Sequence, residues 1–331
     1  MDVASKVARP DMDISVVICT RNRCTTLKKA LGSLEHQSSA GLTWEILVVD
    51  NGSVDQTKEV VEEFTRKVEF PTRYVLEREP GLSNARNHGI RESGGNIIAF
   101  LDDDVMVAPD WLAEIKTAFD KYECACVGGK ILLDESIQLP EWWDERCRGV
   151  LSLFDAGDSV IISDRNSWAE IGWGANLSFR RRAFETYGLF RTDLGKTPNT
   201  ATLGEETELV DRLRRNGEKV IHYPRAVVYH CPTLDRFSRQ YLRRWYYRVG
   251  EVDFLRQLRA SEDEPQVLQV PRWKYRVALV NLWQALYWTL NGNRKQAFWE
   301  QLQFLRFSGY FVAARHPARR WPSREGAAEG W

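Results

Sequence analysis

Four short apolar runs, each followed by polar residues, constrain the fold of this chain more than any other feature. They cover residues 13–20, 44–49, 70–76 and 96–101. β-Branched and aromatic side chains dominate these runs, which is typical of buried strands. Helical patterns separate them, for example over residues 24–37 and 54–67. Strands that alternate with helices predict βαβ units and a mainly parallel sheet, so we expect an α/β fold.

Three consecutive aspartates, Asp102, Asp103 and Asp104, follow the fourth run. They would lie at the carboxyl end of a strand, where open α/β sheets bind ligands. Three adjacent anions repel each other, and a divalent cation removes that cost. Mg²⁺ typically uses one or two carboxylates together with substrate phosphates. The triplet therefore indicates a metal ion that holds a diphosphate. The alternative is a solvated acidic turn that caps the helix near Pro109.

Further polar residues follow the other predicted strands and the turn before the next helix. They are Thr20, Arg21, Asp50, Asn51 and Arg86. Because the carboxyl ends of parallel strands share one edge of a sheet, these residues are expected to meet in one crevice. There Asp50 can accept a hydrogen bond from a base imide, and Arg86 can pair with a phosphate.

Taken in chain order, these motifs resemble the family 2 inverting glycosyltransferases of the GT-A fold. The matching stretches are SVVICTRN at 15–22, ILVVDNGSVD at 46–55, GLSNARN at 81–87, FLDDD at 100–104, GANLSFRR at 174–181, GEETEL at 204–209 and VVYH at 227–230. The resemblance implies a Rossmann-like domain with a mostly parallel central sheet flanked by helices. It also implies an enzyme similar to those of bacterial polysaccharide biosynthesis.

The resemblance implies a nucleotide-sugar site. Asp50 and Asn51 would contact the base, although many members have a second aspartate where Asn51 stands. Thr20 and Arg21 would line the base and ribose pocket, and Arg86 would bind the diphosphate. A UDP-sugar is the expected donor on family resemblance alone.

The resemblance also implies a Mn²⁺ or Mg²⁺ site. Asp104 would coordinate the ion, Asp102 would bind ribose or a metal-bound water, and Asp103 would support the turn within the donor site. In some relatives a histidine at the position of His230 completes the metal or diphosphate site. The alternative for His230 is a structural role.

The catalytic base of the family sits in a Gly-Glu-Asp-like element, where this sequence has Glu205 and Glu206. We place the base on Glu206, with Glu205 as the alternative. An acidic first turn that favours the helix dipole explains the same residues without catalysis. Trp173 and Asn176 are expected to face the acceptor sugar, because aromatic rings suit the C–H side of a pyranose. Core packing is the alternative for Trp173.

Beyond Pro232 the pattern becomes helical, over residues 236–258, 275–290 and 294–314, with a linker at 261–265. Residues 231–331 carry 17 basic and 9 acidic side chains, against 29 and 37 in residues 1–230. We therefore expect a catalytic domain over 1–232 and a helical C-terminal region over 233–331. That region would contact a membrane peripherally or form a homodimer.

The predicted activity is inverting, metal-dependent sugar transfer to a saccharide or lipid-linked acceptor, not nucleic-acid binding. The alternatives are a non-catalytic nucleotide-sugar-binding protein and a sugar nucleotidyltransferase. A sugar nucleotidyltransferase needs a glycine-rich loop after the first strand, and residues 20–24 contain no glycine. The six cysteines form no zinc pattern and the N-terminus has no apolar signal core. These features predict a cytoplasmic protein, free or at the inner membrane face.

Overall fold

The structure, a computed structural model, describes residues 12–39, 41–196, 204–257, 266–267 and 270–315. The predicted linker at 261–265 lies outside the described residues. The chain divides into two compact units. The first comprises Met1–Gln138 and Leu151–Pro232, and the second comprises Leu139–Val150 and Thr233–Trp331. Residues 139–150 thus group with the C-terminal helices, which the sequence did not predict.

The first unit contains a nine-stranded sheet, counted over the described residues. Its strands are β1 Met12–Thr20, β2 Trp44–Asp50, β3 Thr72–Leu76, β4 Gly95–Asp102, β5 Val105–Val107, β6 Cys126–Leu133, β7 Ile161–Ser163, β8 Asn176–Arg180 and β9 Val220–His230. The order is β3-β2-β1-β4-β8-β6-β9-β5, with β7 beside β9. The pairings make β1–β4, β6 and β9 point one way and β5, β7 and β8 the other. The predicted α/β fold with a mostly parallel sheet is confirmed.

Helices cover both faces of this sheet. They are α1 Cys24–Leu34, α2 Thr57–Lys67, α3 Leu82–Glu92, α4 Trp111–Lys121, α5 Arg181–Tyr187 and α6 Glu205–Arg215. Val16 and Ile18 of β1 pack in the cluster formed with α1, α2 and α4. Val17, between them, packs in the opposite cluster with α3, α5 and α6. Burial on both faces explains why the strands read as continuous apolar runs.

Strand register brings the polar ends of the parallel strands to one edge. Thr20 lies opposite Asp50 in the β1–β2 pair, and Cys19 lies opposite Asp102 in the β1–β4 pair. Gly89 lets α3 approach this part of the sheet closely, since a Cβ atom there would lie 2.5 Å from a methyl group of Val17. The helix that carries Arg86 is therefore held tightly against β1.

The sequence pattern predicts two short strands, over 219–224 and 226–230, but β9 is one long strand. Its register against β6 shifts, so that Gly128 pairs with His222 and Lys130 with Val227. Pro224 falls inside this irregularity, where a missing N–H removes no ladder hydrogen bond. The strand therefore continues to His230 and carries that residue to the carboxyl edge.

The second unit is helical. It contains α7 Arg239–Gln257, α8 Arg272–Leu290 and α9 Arg294–Arg315, together with a two-stranded pair, β10 Gln266–Val267 and β11 Val270–Pro271. Gly250 of α7 and Gly309 of α9 allow close backbone contact, since a Cβ atom at either would collide with a carbonyl group of the other helix. Across the described ranges, no helix is long and apolar enough to cross a membrane.

Candidate active site

The predicted base-contacting residues, Asp50 and Asn51, lie at the end of β2 and are held there by hydrogen bonds. Asp50 is buried and accepts hydrogen bonds from Ser53 N at 2.8 Å and from the Tyr74 hydroxyl at 2.7 Å. Burial raises the pKa of the Tyr74 hydroxyl, and the hydrogen bond to the charged Asp50 carboxylate raises it further. The hydroxyl therefore keeps its proton and remains a hydrogen-bond donor. A carboxylate has about four lone-pair positions, so Asp50 retains capacity for a ligand donor.

Asn51 ties the end of β2 to the turn that begins α3. Its amide nitrogen donates to Glu77 O at 3.2 Å and to Glu79 O at 2.8 Å. Its amide oxygen accepts from Gly81 N at 2.7 Å. The side-chain N–H groups of Asn51 are therefore committed to the protein backbone. Contact between Asn51 and a nucleotide base stays a prediction.

Arg23 holds two of the three aspartates, and the sequence interpretation missed it. Its Nη1 lies 2.6 Å from Asp103 Oδ1 and 3.0 Å from Asp104 Oδ2. Thr20 Oγ1 donates to the other oxygen of Asp103 at 2.7 Å, whereas Arg21 is exposed. Burial raises the pKa of Asp103 to about 6, against the opposing charge of Arg23. A basic residue three positions after the end of β1 was the available signal.

His230 faces Asp104 because β5 and β9 pair at Val105 and His230. The ring Nδ1 lies 2.5 Å from Leu151 O, and a carbonyl can only accept, so Nδ1 carries a proton. Nε2 lies 3.3 Å from Asp104 Oδ1, and both side chains are almost fully buried. This nitrogen–oxygen pair is an ion pair when the ring is protonated, and supplies two neighbouring ligand atoms when the ring is neutral. This arrangement fits a divalent cation bound between an oxygen and an imidazole nitrogen.

Asp104 and His230 do not form a complete metal site by themselves. Within the described part of the chain, no group of three or more His, Cys, Asp or Glu side chains is arranged to hold an ion. Asp102 is 39% exposed, and its Oδ1 lies 3.7 Å from Arg86 Nη2. A donor diphosphate would have to supply the remaining oxygen ligands, as is common for Mg²⁺ sites.

Arg86 connects the aspartates to the Gly-Glu-Glu element. It is buried against the rings of Phe100 and Phe190, and its Nη1 donates to Glu205 Oε1 at 2.8 Å. Burial disfavours the charged form of Arg86, but the negative charges of Glu205, Glu206 and Asp102 outweigh burial and raise the pKa of its guanidinium. The guanidinium is therefore permanently charged between two groups of carboxylates.

The two glutamates at the start of α6 differ in their environment. Glu205 is buried, and burial together with Glu206 raises its pKa to about 7 against the charge of Arg86. Glu206 is half-buried, and its Oε2 has no hydrogen-bond partner in the described structure. Gly204, at φ +102°, turns the chain into α6. An unpartnered, shielded carboxylate oxygen is suited to accept a proton.

Gly174 makes room for this arrangement. A Cβ atom at Gly174 would lie 2.7 Å from Arg86 Nη2 and 3.5 Å from Glu206 Cδ. The neighbouring Trp173 is half-buried, packs edge-on against Phe154 at 6.1 Å and donates through Nε1 to Leu153 O at 3.4 Å. Contact between Trp173 and an acceptor stays a prediction.

The prediction that Asn176 faces the acceptor is corrected by the structure. Asn176 is 2% exposed, and its amide oxygen accepts from Trp111 Nε1 at 3.0 Å. Its amide nitrogen donates to Lys130 O at 3.0 Å and Ala226 O at 2.9 Å. These carbonyls flank the register shift between β6 and β9, where the ladder is interrupted. Asn176 therefore satisfies backbone groups inside the sheet.

The mostly parallel sheet, its helical layers and the acidic residues at its carboxyl edge match the GT-A fold of solved glycosyltransferases. The sequence model of glycosyl transferase family 2 matches residues 15–188, so the chain belongs to that family. The predicted family and enzyme class are confirmed.

Two curated relatives are similar over most of this chain. A glucosyl-dolichyl phosphate glucuronosyltransferase of Haloferax volcanii is 26% identical over 227 residues, covering 66% of this chain and 69% of the relative. The succinoglycan biosynthesis protein ExoM of Rhizobium meliloti is 26% identical over 246 residues, covering 73% of each.

Solved structures share the fold. A mannosyltransferase from Pyrobaculum calidifontis, in complex with GDP-Man and Mn²⁺, has a TM-score of 0.61 at 18% identity and covers 92% of this chain and 87% of its own. S. aureus TarS 1-349 in complex with UDP-GlcNAc has a TM-score of 0.51 at 16% identity and covers 90% of this chain and 91% of its own.

Proposed function

We propose that this protein is an inverting, metal-dependent glycosyltransferase that uses a nucleotide-diphosphate sugar as donor. The observation that carries this proposal is the pairing of two sites through Arg86. On one side lie the aspartates, and on the other lies Glu206, one of whose carboxylate oxygens has no hydrogen-bond partner among the described residues. A donor site beside a base is the arrangement that direct displacement at an anomeric carbon requires.

Glu206 acts as the general base. It takes the proton of an acceptor hydroxyl, and the freed oxygen forms a bond to the anomeric carbon of the donor. The bond from that carbon to the diphosphate oxygen breaks on the opposite face, and the nucleoside diphosphate leaves with the electron pair. Glu205 is less suited to this task because its carboxylate is already hydrogen-bonded to Arg86.

Asp104 and His230 would hold a divalent cation, with Asp102 as a further oxygen donor nearby. The short distance between a buried carboxylate oxygen of Asp104 and the His230 ring nitrogen supports this assignment. When bound, such an ion neutralises charge on the departing diphosphate. Mn²⁺ accompanies the donor in the Pyrobaculum calidifontis mannosyltransferase, which supports the same metal class.

Asp50, Thr20 and Arg21 would surround the nucleoside, and a UDP-sugar is the proposed donor. The TarS complexes with UDP and UDP-GlcNAc favour uridine, whereas the mannosyltransferase binds GDP-Man. The acceptor is proposed to be a saccharide or a lipid-linked saccharide of surface polysaccharide or glycoconjugate synthesis. The names of the dolichyl phosphate and succinoglycan relatives support this class.

Thermal shift with UDP, GDP and their sugar conjugates, with and without Mn²⁺, tests the donor site. A ligand that binds only the folded protein raises the melting temperature by mass action. We expect one nucleotide to give a metal-dependent shift that Asp104→Asn removes. Asp110→Asn, an exposed aspartate nearby, should leave the shift unchanged. No shift with any nucleotide in folded protein would overturn the proposed donor class.

Stereochemistry tests the displacement. The anomer of the product, read by NMR before it equilibrates, should be opposite to that of the donor. Retention of configuration would contradict the inverting mechanism even if the donor is correct.

A further inference from the structure

α8 presents its apolar residues to solvent. The most exposed recur at intervals of three or four residues and form one stripe along the helix. This outer stripe consists of Leu279 at 66%, Trp283 at 62%, Leu286 at 59% and Leu290 at 88% exposure, flanked by Val280 and Tyr287 at 43% each. Contiguous exposed apolar surface of this kind marks an interaction site.

Two polar residues of α8, Lys274 and Gln284, contact α9 instead of solvent. Lys274 Nζ lies 4.1 Å from the centre of the Tyr310 ring of α9. The Gln284 amide lies against the Glu300 carboxylate of α9, within 3.2 Å. A helix on the surface of a soluble protein normally has the opposite arrangement. The inverted pattern indicates that the outer stripe has an apolar occupant.

Basic residues border the outer stripe at both ends. Arg272 and Arg276 are exposed in its first turns, and Arg294 and Lys295 are exposed just beyond its end. The sequence contains no Asp or Glu between residues 266 and 299. The occupant must therefore combine apolar material with negative charge.

A second copy of this chain does not meet that requirement. Antiparallel pairing of two outer stripes would place Arg272 and Arg276 against Arg294 and Lys295. Parallel pairing would place each basic end against its own copy. Both arrangements bring like charges together without an acidic neighbour on α8 to offset them.

An anionic lipid surface combines apolar material with negative charge. Amphipathic helices lie in the interface with apolar residues among the acyl chains and basic residues at anionic headgroups. Trp and Tyr, which Trp283 and Tyr287 supply, favour the same headgroup level. We propose that the outer stripe of α8 is a docking surface for a bilayer that contains anionic lipid. This inference concerns a different surface from the active site and does not depend on the proposed reaction.

Vesicle co-sedimentation of the full-length protein tests the proposal. Vesicles of phosphatidylcholine mixed with phosphatidylglycerol should bind the protein at least about tenfold more tightly than phosphatidylcholine alone. Trp283→Ala with Leu286→Ala should weaken that binding by about tenfold or more. Trp168→Ala is the matched control, because Trp168 is 67% exposed but lies in the first unit. Leu279→Ser with Leu290→Ser provides a second variant if the first melts early.

Charge reversal separates the two contributions. Arg272→Glu with Arg276→Glu should abolish the preference for anionic vesicles, whereas Lys58→Glu with Arg66→Glu, exposed on α2, should preserve it. No binding to either vesicle type would overturn the proposal. So would a concentration-dependent dimer, seen by sedimentation velocity, that Trp283→Ala dissociates, because the stripe would then bind a second copy.

Discussion

Arg86 and Glu205 form an ion pair in which both side chains are only 5% exposed and Nη1 lies 2.8 Å from Oε1. The pair joins α3 to the first turn of α6. It leaves Glu206, the next residue, with a carboxylate oxygen that has no partner among the described residues. The pair thereby assigns different roles to two adjacent glutamates, one structural and one available for proton transfer.

Glu206→Gln is expected to lower kcat by about 10²–10⁴-fold, because the general base is lost while the shape of the side chain is kept. Binding of the nucleotide, measured by thermal shift, should not change. Glu205→Gln keeps an acceptor for Arg86 and should retain most of the activity. A larger loss from Glu205→Gln than from Glu206→Gln would reverse the assignment of the base.

At pH 8, above the folded pKa of Glu205 of about 7, Arg86→Met is expected to destabilise the protein by about 3–5 kcal/mol, because it leaves the Glu205 carboxylate buried without its counter-charge. Urea unfolding measures this change. Lys28→Met is the control, since Lys28 pairs with Glu63 and both side chains are exposed, at 64% and 65%. The control should cost far less. The double variant Arg86→Met with Glu205→Leu should recover part of the loss; equal stability of the single and double variants would contradict a buried charge as the cause.

The strands and the family motifs of this site could be predicted from the sequence because each has a local signature. The apolar runs reflect burial on two faces, and the aspartates follow the strand directly. The role of Asn176 could not be predicted, because it depends on the register shift between β6 and β9, a relation between distant segments. The same is true of Arg23, whose aspartate partners are about 80 positions away in the chain.

The helices of the second unit were predicted by number and approximate position. Their packing was not, since residues 139–150 join them from within the catalytic part of the sequence. Trp142, for example, packs edge-on against Phe298 at 5.8 Å. Such contacts leave no periodic signal, because the segment is short and has no regular helix or strand pattern over most of its length.

Stability is expected to fall as pH rises toward neutrality, in part because of Glu205. Its folded pKa of about 7 lies above the ordinary value of 4.5. Between these values the unfolded chain has released the proton and the folded chain retains it. The stabilising contribution of Glu205 is therefore complete below about pH 4.5 and is lost as pH rises through about 7. Between these values the unfolding free energy falls by about 1.4 kcal/mol per pH unit.

Urea unfolding at a series of pH values measures this slope. Glu205→Gln cannot titrate, so its unfolding free energy should vary less over the same range. The difference between the two proteins reports the titration of Glu205 together with its effect on the adjacent Glu206. Parallel curves for wild type and Glu205→Gln would show that Glu205 does not hold its proton in the folded protein.

Gly174→Ala tests the geometry of the same site without removing a charge. The added methyl group would lie 2.7 Å from Arg86 Nη2, and Arg86 cannot withdraw easily because Glu205 and the rings of Phe100 and Phe190 hold it. We expect lower stability, by about 1–3 kcal/mol, and a loss of activity because Glu206 is displaced.

Gly32→Ala is the matched control for this substitution. Gly32 lies within α1, and a Cβ atom there meets nothing within 4 Å. Alanine in a helix interior is favoured over glycine, so this variant should gain up to about 1 kcal/mol and retain full activity. If Gly174→Ala behaved like Gly32→Ala in both assays, the Arg86 guanidinium would be free to move, and Glu205 would not be the anchor that orients Glu206.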